Sequence, residues 1–156
     1  ERVESGRRVT GFYATKDFSY RATRTAGSGW VAVGDAFGFL DPLYSSGVLL
    51  ALRSGELAAD AIAEGLAKGD VSGEQLGKWA EDFGRGMDRM RRLVVDFYEG
   101  FNFGRFIKRQ PHHKGAITDL LIGDMFRDEL DVVVEPMNEM RAELAEEREK
   151  MEAAVK

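Results

Sequence analysis

Residues 30–33, Trp-Val-Ala-Val, begin the most informative hydrophobic pattern in the chain. The run is apolar on both faces, which predicts a short central strand covered on both sides. It stops at Gly34–Asp35, and Asp41–Pro42 makes a second break. A strand, a turn with a glycine and an acid, and a helix N-terminus together form a common way to hold an anionic or polar ligand.

The helix after this turn is predicted to begin at Ser45 or Ser46, where either hydroxyl can cap the first turn. Gly65 and Gly69 mark its end. Before the apolar run, residues 1–26 predict two or three short strands, because aromatic and β-branched residues alternate with polar ones. A loop is expected at residues 26–29. The apolar positions of the helix recur at helical spacing and are Val48, Leu49, Leu52, Leu57, Ala61 and Ile62. The alternating positions of the predicted strands are Val9, Gly11, Tyr13, Phe18 and Tyr20.

A second long helix is predicted to run to about Tyr98. Ser72 and Gln75 form a capping box at its start. Its apolar stripe consists of Leu76, Trp79, Phe83, Met87, Met90 and Val94. Its other face is basic, with Arg85, Arg89, Arg91 and Arg92. A solvated helix face explains these arginines better than an anion-binding surface does.

The last third of the chain predicts shorter elements. Residues 101–106 hold three phenylalanines, which suit a core and a substrate pocket equally well. His112–His113 lies in a predicted loop and lacks a third ligand at metal-binding spacing, so we expect a solvated loop and no metal site. Short helices are expected at residues 116–122 and around 125–126. Pro136 suits the first turn of a final helix, whose stripe packs within the chain or forms a dimerisation seam: Met137, Met140 and Leu144.

Composition narrows the class of protein. The chain has 156 residues, 44% hydrophobic and 31% charged, which is typical of a soluble globular protein. A net charge of -5 argues against nucleic-acid binding, and the absence of cysteine excludes thiolate chemistry. No apolar run is long enough for stable membrane insertion and no secretory signal is visible, so a cytoplasmic location is expected. The chain enters strand-like sequence without an initiator methionine, and we expect it to be a C-terminal piece of a longer protein.

Residues 33–60, VGDAFGFLDPLYSSGVLLALRSGELAAD, carry a family resemblance. The segment resembles the third FAD-contacting motif of flavoprotein oxidoreductases. It is most similar to that of flavin-dependent halogenases and geranylgeranyl-reductase-like flavoproteins. The similarity covers residues 17–63 and weakens towards residue 106. It implies an α+β, mostly helical fold: the C-terminal portion of a glutathione-reductase or hydroxybenzoate-hydroxylase type of FAD-binding fold, with a few N-terminal strands followed by long helices.

The resemblance implies a role for each matching residue. Asp35 would accept a hydrogen bond from a ribityl hydroxyl of FAD, and Gly34 would let the backbone approach the cofactor. Pro42 would lie near the isoalloxazine edge. Gly47 and Val48 would present backbone N–H groups to the N1–C2=O edge of the flavin, where the positive end of the helix dipole stabilises negative charge.

Halogenases of this kind also bind chloride at the same turn, which implies a halide site at Ser46 and Gly47. Both halogenases and reductases keep the turn, so it does not separate them. The GxGxxG turn that cradles the pyrophosphate is absent from this sequence. The lysine and the tryptophan-containing motif of halogenases belong to the N-terminal part of that family and have no match here. We therefore expect the catalytic residues to lie upstream, and this chain alone to be inactive and to hold FAD weakly or not at all.

These observations combine into one expectation. Residues 1–66 would form strands and the last strand-turn-helix of an FAD-binding domain, and residues 67–156 a helical region with a charged C-terminal helix. The intact protein would be a halogenase- or monooxygenase-like oxidoreductase acting on a small molecule. The alternatives are a geranylgeranyl-reductase-like alkene reductase and a non-catalytic helical interaction module. Exposed strand edges or the last helix favour self-association.

Overall fold

The computed structural model describes residues 6–7, 9–14 and 19–155, except for the side chains of residues 154 and 155. Strands β1 (Tyr20–Arg21) and β4 (Gly38–Phe39) pair antiparallel, and β2 (Ala26–Gly27) pairs antiparallel with β3 (Trp30–Val31). The helices are α1 (Gly47–Lys68), α2 (Gly73–Gly77), α3 (Ala80–Tyr98), α4 (Phe103–Arg109), α5 (Lys114–Leu121) and α6 (Val134–Val155). Four 3-10 turns cover Gly34–Ala36, Pro42–Tyr44, Pro111–His113 and Asp128–Val133. The prediction of a mostly helical chain with a few N-terminal strands is confirmed.

The strand predicted at residues 30–33 is shorter and more exposed than its pattern suggests. Among the described residues β3 pairs with β2 alone, and the Trp30 side chain is 43% exposed. The prediction of a central strand covered on both faces is therefore wrong. The loop predicted at residues 26–29 is also shorter, because Ala26 and Gly27 form β2 and only Ser28–Gly29 make the turn. An apolar run shows strand propensity, but it cannot show which elements cover the strand.

The strands predicted before residue 26 are only partly present. The strand at Tyr20 is confirmed as β1. Around Val9 and Tyr13 the prediction is wrong: residues 9–14 form no strand, and these two side chains are 89% and 90% exposed. Alternating residues form a strand when they pack against a neighbouring surface, and the exposed side chains here do not. Phe18 lies outside the described residues.

Helix α1 begins and ends where the sequence predicts. Gly69 closes it in the left-handed conformation, with φ +71°, and its N–H bonds back to Gly65 and Leu66. The predicted serine cap is wrong: Ser46 occupies the N-cap position but its side chain makes no capping bond, and Ser45 has φ +55°. Of the predicted apolar positions of α1 only Ala61 is fully buried. The buried face of the helix consists of Leu50, Ser54, Ala58, Ala61 and Gly65.

The predicted apolar stripe of the second long helix forms the centre of the molecule. All six of its residues are buried, although Lys78 and Trp79 separate α2 from α3. The Ser72 hydroxyl accepts from the Gln75 N–H at 3.2 Å, as a capping box requires. The Gln75 side chain does not complete the box; it donates to the Ala61 carbonyl at 2.9 Å and so ties α2 to α1.

Phe37 joins the turn after β3 to this core. It is fully buried, with ring centroids 5.5 Å from Trp79 and 4.9 Å from Phe83. Aromatic contacts at such separations add to the free energy of simple burial. The turn at residues 34–36 is therefore anchored on α3 by the residue that follows it.

Arg89 contradicts the prediction of a fully solvated basic face. Its side chain is only 8% exposed and bonds to Asp131 at 2.6 and 2.7 Å and to Asp128 at 2.8 Å. It also donates to the Met125 carbonyl at 3.1 Å. The hydrogen bond from Arg89 lowers the pKa of Asp131. Arg89 thus holds residues 125–131 against α3. The helix predicted around residues 125–126 is also wrong, because this segment is irregular and Phe126 stacks on Phe83 instead.

The phenylalanines after α3 belong to the core. Phe101 and Phe106 are buried with ring centroids 5.7 Å apart, and His113 stacks on Phe106. Burial lowers the pKa of His113, and His112 adds to this effect. The expected solvated loop is therefore wrong for His113, which lies buried in a 3-10 turn. No group of three or more potential metal ligands occurs within the described part of the chain.

Helix α6 packs back onto the core. Pro136 lies in its first turn as predicted, and Met137 and Met140 are buried inside the chain. Of the two alternatives for this stripe, packing within the chain is confirmed. None of the helices in the described ranges is long and apolar enough to cross a membrane.

Candidate functional site

The turn at Gly34–Ala36 lies directly against α1. The Gly34 N–H donates to the Ser54 hydroxyl at 2.8 Å, and this hydroxyl donates to the Ala51 carbonyl at 3.0 Å. Ser54 is fully buried. Gly34 has φ +53°, a left-handed conformation that favours glycine. A side chain at Gly34 would also touch Ala51, at 3.4 Å. Sequence reasoning did not single out Ser54, although a serine in the middle of an alanine-rich helix face is a signal for such a contact.

Asp35 projects from this turn into solvent. Its main-chain carbonyl accepts from the Tyr20 hydroxyl at 2.6 Å, so the backbone is held from the β1 side as well. Its side chain is exposed and makes no hydrogen bond or ion pair with any residue that the structure describes. A carboxylate on a fixed backbone with unused acceptor capacity is suited to bind hydroxyl groups.

Asp41 organises the segment between the turn and α1. Its Oδ1 accepts from the Leu43 N–H at 3.0 Å and from the Tyr98 hydroxyl at 2.9 Å. The hydrogen bond to Asp41 raises the pKa of Tyr98. Pro42 follows as the exposed first residue of its 3-10 turn. Sequence reasoning treated Asp41 only as a break, although an acid before proline is a common N-cap.

The N-terminus of α1 is open. Gly47 and Val48 are exposed, and the first turn has neither a side-chain cap nor an acidic residue. A Cβ built on Gly47 would meet nothing within 4 Å. The first N–H groups of a helix have no partner inside it and carry the positive end of its dipole. This end of α1 can therefore bind an acceptor through its backbone.

Two of the predicted site residues, Gly47 and Val48, begin α1, and Gly34 contacts the same helix further along. Gly34 contacts Ser54, which lies seven residues after Gly47. At 1.5 Å of rise per residue, this separates the two contacts by about 10 Å along the axis of α1. Ser46 is buried behind the first turn, and Pro42 precedes it. An elongated ligand lying along this stretch could contact both the carboxylate and the open helix end.

Two adjoining clefts are lined by Leu40 and by residues of α3, and sequence reasoning missed both. The larger has a volume of about 580 Å³ and the smaller about 270 Å³. Ser19, Leu40 and Arg91 line both clefts and so lie where they meet. The larger cleft is also lined by Asp41, Val94, Val95 and Tyr98.

Comparison with known proteins shows which family the chain resembles. The family described as tryptophan halogenase matches residues 2–102. The chain is 28% identical over 141 residues to the 1H-pyrrole-2-carbonyl-(peptidyl-carrier protein) chlorinase of Pseudomonas fluorescens, covering 90% of this chain and 31% of that protein. It is 37% identical over 83 residues to the flavin-dependent halogenase armH1 of Armillaria mellea, covering 53% of this chain and 16% of that protein.

A solved structure shows the same architecture. The fold resembles that of the flavin-dependent brominase Bmp2 with a TM-score of 0.68 and 28% identity, covering 81% of this chain and 33% of that chain. The chain thus spans a third or less of the length of these relatives. The family match covers more than half of the chain and several of its relatives are named flavin-dependent halogenases. The chain belongs to the tryptophan halogenase family, in which FAD is the cofactor of the intact protein.

Proposed function

We propose that this chain supplies the ribityl and isoalloxazine-edge side of the FAD site in a flavin-dependent halogenase that acts on a small molecule. The observation that carries the proposal is the open N-terminus of α1, together with the exposed Asp35 carboxylate on a turn whose backbone is bonded to the same helix through Gly34. The family match supports flavin as the cofactor, and the geometry of the turn and of α1 supports the choice of residues that would bind it.

The donor set fits the cofactor. Asp35 would accept from a ribityl hydroxyl, and the N–H groups of Gly47 and Val48 would donate to the carbonyl edge of the ring. Gly34 would let the backbone approach the cofactor closely, and Pro42 would lie near the ring edge. FAD supplies the redox chemistry when bound. The chain would fix the position of the ring, and the positive end of α1 would stabilise negative charge at the N1–C2=O edge.

We also propose a halide site at Ser46 and Gly47. Backbone N–H groups at a helix N-terminus bind anions without a charged side chain. The absence of an acidic residue from the first turn of α1 leaves this end attractive to an anion.

The family match favours halogenation over the alkene-reductase and interaction-module alternatives. Residues 1–66 would then complete an FAD domain of the glutathione-reductase or hydroxybenzoate-hydroxylase type, and residues 67–156 would form the helical region beside it. Because the sequence lacks a GxGxxG turn, this chain alone would hold FAD weakly. The short strands leave edges through which the chain could self-associate.

Gly47→Ala should separate cofactor binding from folding. The methyl group meets nothing in the chain, so stability should stay the same or rise by about 0.5 kcal/mol. In the intact protein the methyl group would occupy the space of the ring edge, so the dissociation constant of FAD should rise about tenfold. The chloride concentration at half-saturation should rise as well. Flavin fluorescence titration and urea unfolding measure the two effects.

Gly55→Ala is the matched control. Gly55 also lies in α1, and a Cβ there meets nothing within 4 Å. This variant should gain stability of about 1 kcal/mol and keep wild-type affinity for FAD. Equal FAD and chloride affinities in the two variants would remove Gly47 from the site.

A further inference from the structure

The two adjoining clefts hold one charge that the fold does not use. Arg91 lies at their junction, is exposed, and makes no hydrogen bond or ion pair with the residues that the structure describes. Its neighbours on the basic face differ. Arg89 binds two aspartates, and Arg92 contacts Asp96 and Asn138. Arg91 is therefore not explained by the packing of α3.

The other charged groups of the clefts already have partners. Asp88, in the smaller cleft, pairs with Arg21 at 3.0 Å. Asp41, in the larger cleft, accepts from the Leu43 N–H and the Tyr98 hydroxyl. Asp41 lines the larger cleft only, whereas Arg91 lines both. An anion at the junction thus meets an unused guanidinium, and each of the two carboxylates that line the clefts already accepts from a donor of the chain.

The rest of the larger cleft suits a compact apolar group. Leu40, Val94 and Val95 line it, and its volume of about 580 Å³ lies in the range of small-molecule sites. Asp41 connects it to the proposed flavin edge, because Asp41 caps the 3-10 turn that leads into the first turn of α1. A molecule in this cleft would contact Asp41, the residue directly before Pro42.

We propose that these clefts bind the substrate, and that Arg91 anchors a carboxylate or phosphate group carried by it. The apolar walls hold the ring or chain that bears this group. That the bound molecule is the substrate rests on the proposed function. The anion site itself rests only on Arg91 and the clefts. Guanidinium binds both anions through paired, charge-assisted hydrogen bonds, so a free acid and a phosphate-bearing carrier arm share this chemistry.

The test measures binding of small probes to the intact protein by calorimetry or ligand-observed NMR. The probes are indole-3-acetate, its neutral amide indole-3-acetamide, and 4′-phosphopantetheine. The wild-type protein should bind at least one of the two anions about tenfold more tightly than the amide. Arg91→Gln should weaken binding of that anion by about 10- to 100-fold and change the affinity for the amide by less than about twofold. Arg91→Lys should keep part of the affinity for the anion.

Arg85→Gln is the matched control, because Arg85 lies on the same helix, pairs with Asp82 at 2.7 Å and lines neither cleft. The affinity of this variant for every probe should stay within about twofold of the wild-type value. If Arg91→Gln loses binding of indole-3-acetate alone, the anchored group is a free carboxylate. If it loses binding of 4′-phosphopantetheine, the anchored group is a phosphate. Wild-type binding without preference for either anion, or unchanged anion affinity in Arg91→Gln, overturns the assignment. FAD content, measured on the same samples, reports on the flavin proposal independently.

Discussion

Phe37→Ala should lower the free energy of unfolding by about 3–5 kcal/mol. Phe37 is fully buried between Trp79 and Phe83, so the substitution removes both buried surface and two ring contacts and leaves a cavity. Urea unfolding of this chain followed by far-ultraviolet circular dichroism measures the loss. The effect should extend to function, because Phe37 fixes the turn against α3, and this turn contains Asp35. FAD affinity of the intact protein should therefore fall as well.

Phe97→Ala is the control for aromatic content. Phe97 lies on α3 and is about half exposed, with an edge contact to Tyr98. Its loss should lower stability by about 1 kcal/mol or less. If the two variants unfold at the same urea concentration, Phe37 does not join the turn to the core as described.

Asp96→Asn should lower the free energy of unfolding by about 3 kcal/mol. Asp96 is fully buried on α3 and pairs with Arg141 of α6 and with Arg92, the latter at 3.6 Å. Burial lowers the pKa of Arg141, and the positive charge of Arg92 adds to this effect. Without the carboxylate, two partly buried guanidinium groups face each other with no negative charge between them. Such a loss is much larger than the net contribution of the intact pair.

Asp88→Asn provides the comparison for this pair. Asp88 is also on α3 but is 58% exposed and pairs with Arg21 on the surface. Removing this surface pair should change stability by less than about 1 kcal/mol. Partial recovery of Asp96→Asn by a second change, Arg141→Met, would show that the unpaired charge causes the loss. No difference between the two asparagine variants would contradict the account of the buried network.

The sequence predicts the elements whose information is local. The end of α1 follows from its terminal glycines, and α2 and α3 follow from apolar spacing, since the predicted stripe that they share is buried throughout. Arg89 and Asp96 could not be predicted in the same way, because their partners Asp131 and Arg141 lie more than forty residues away. Helical spacing places a charged residue on a face, but it does not show which distant segment covers that face.

The candidate site shows the same division. The resemblance at residues 33–60 located the turn and the open end of α1, since the motif is contiguous. Two of the supporting contacts come from outside this segment: Tyr20 of β1 bonds to the Asp35 carbonyl, and Tyr98 at the end of α3 bonds to Asp41. Ser54 lies within the motif, but its contact with Gly34 depends on the fold of the turn against α1. The exposure of Trp30 depends in the same way on elements that a local pattern does not contain.

The central claim is that Asp35 and the open end of α1 form one side of the flavin site. Its most direct test is the dissociation constant of FAD for Asp35→Ala in the intact protein, measured by flavin fluorescence. Loss of a hydrogen bond to a charged acceptor should raise this constant by about 10- to 100-fold. Asp60→Ala, which removes an exposed acid elsewhere on α1, should leave it unchanged. Wild-type FAD affinity in Asp35→Ala would contradict the account.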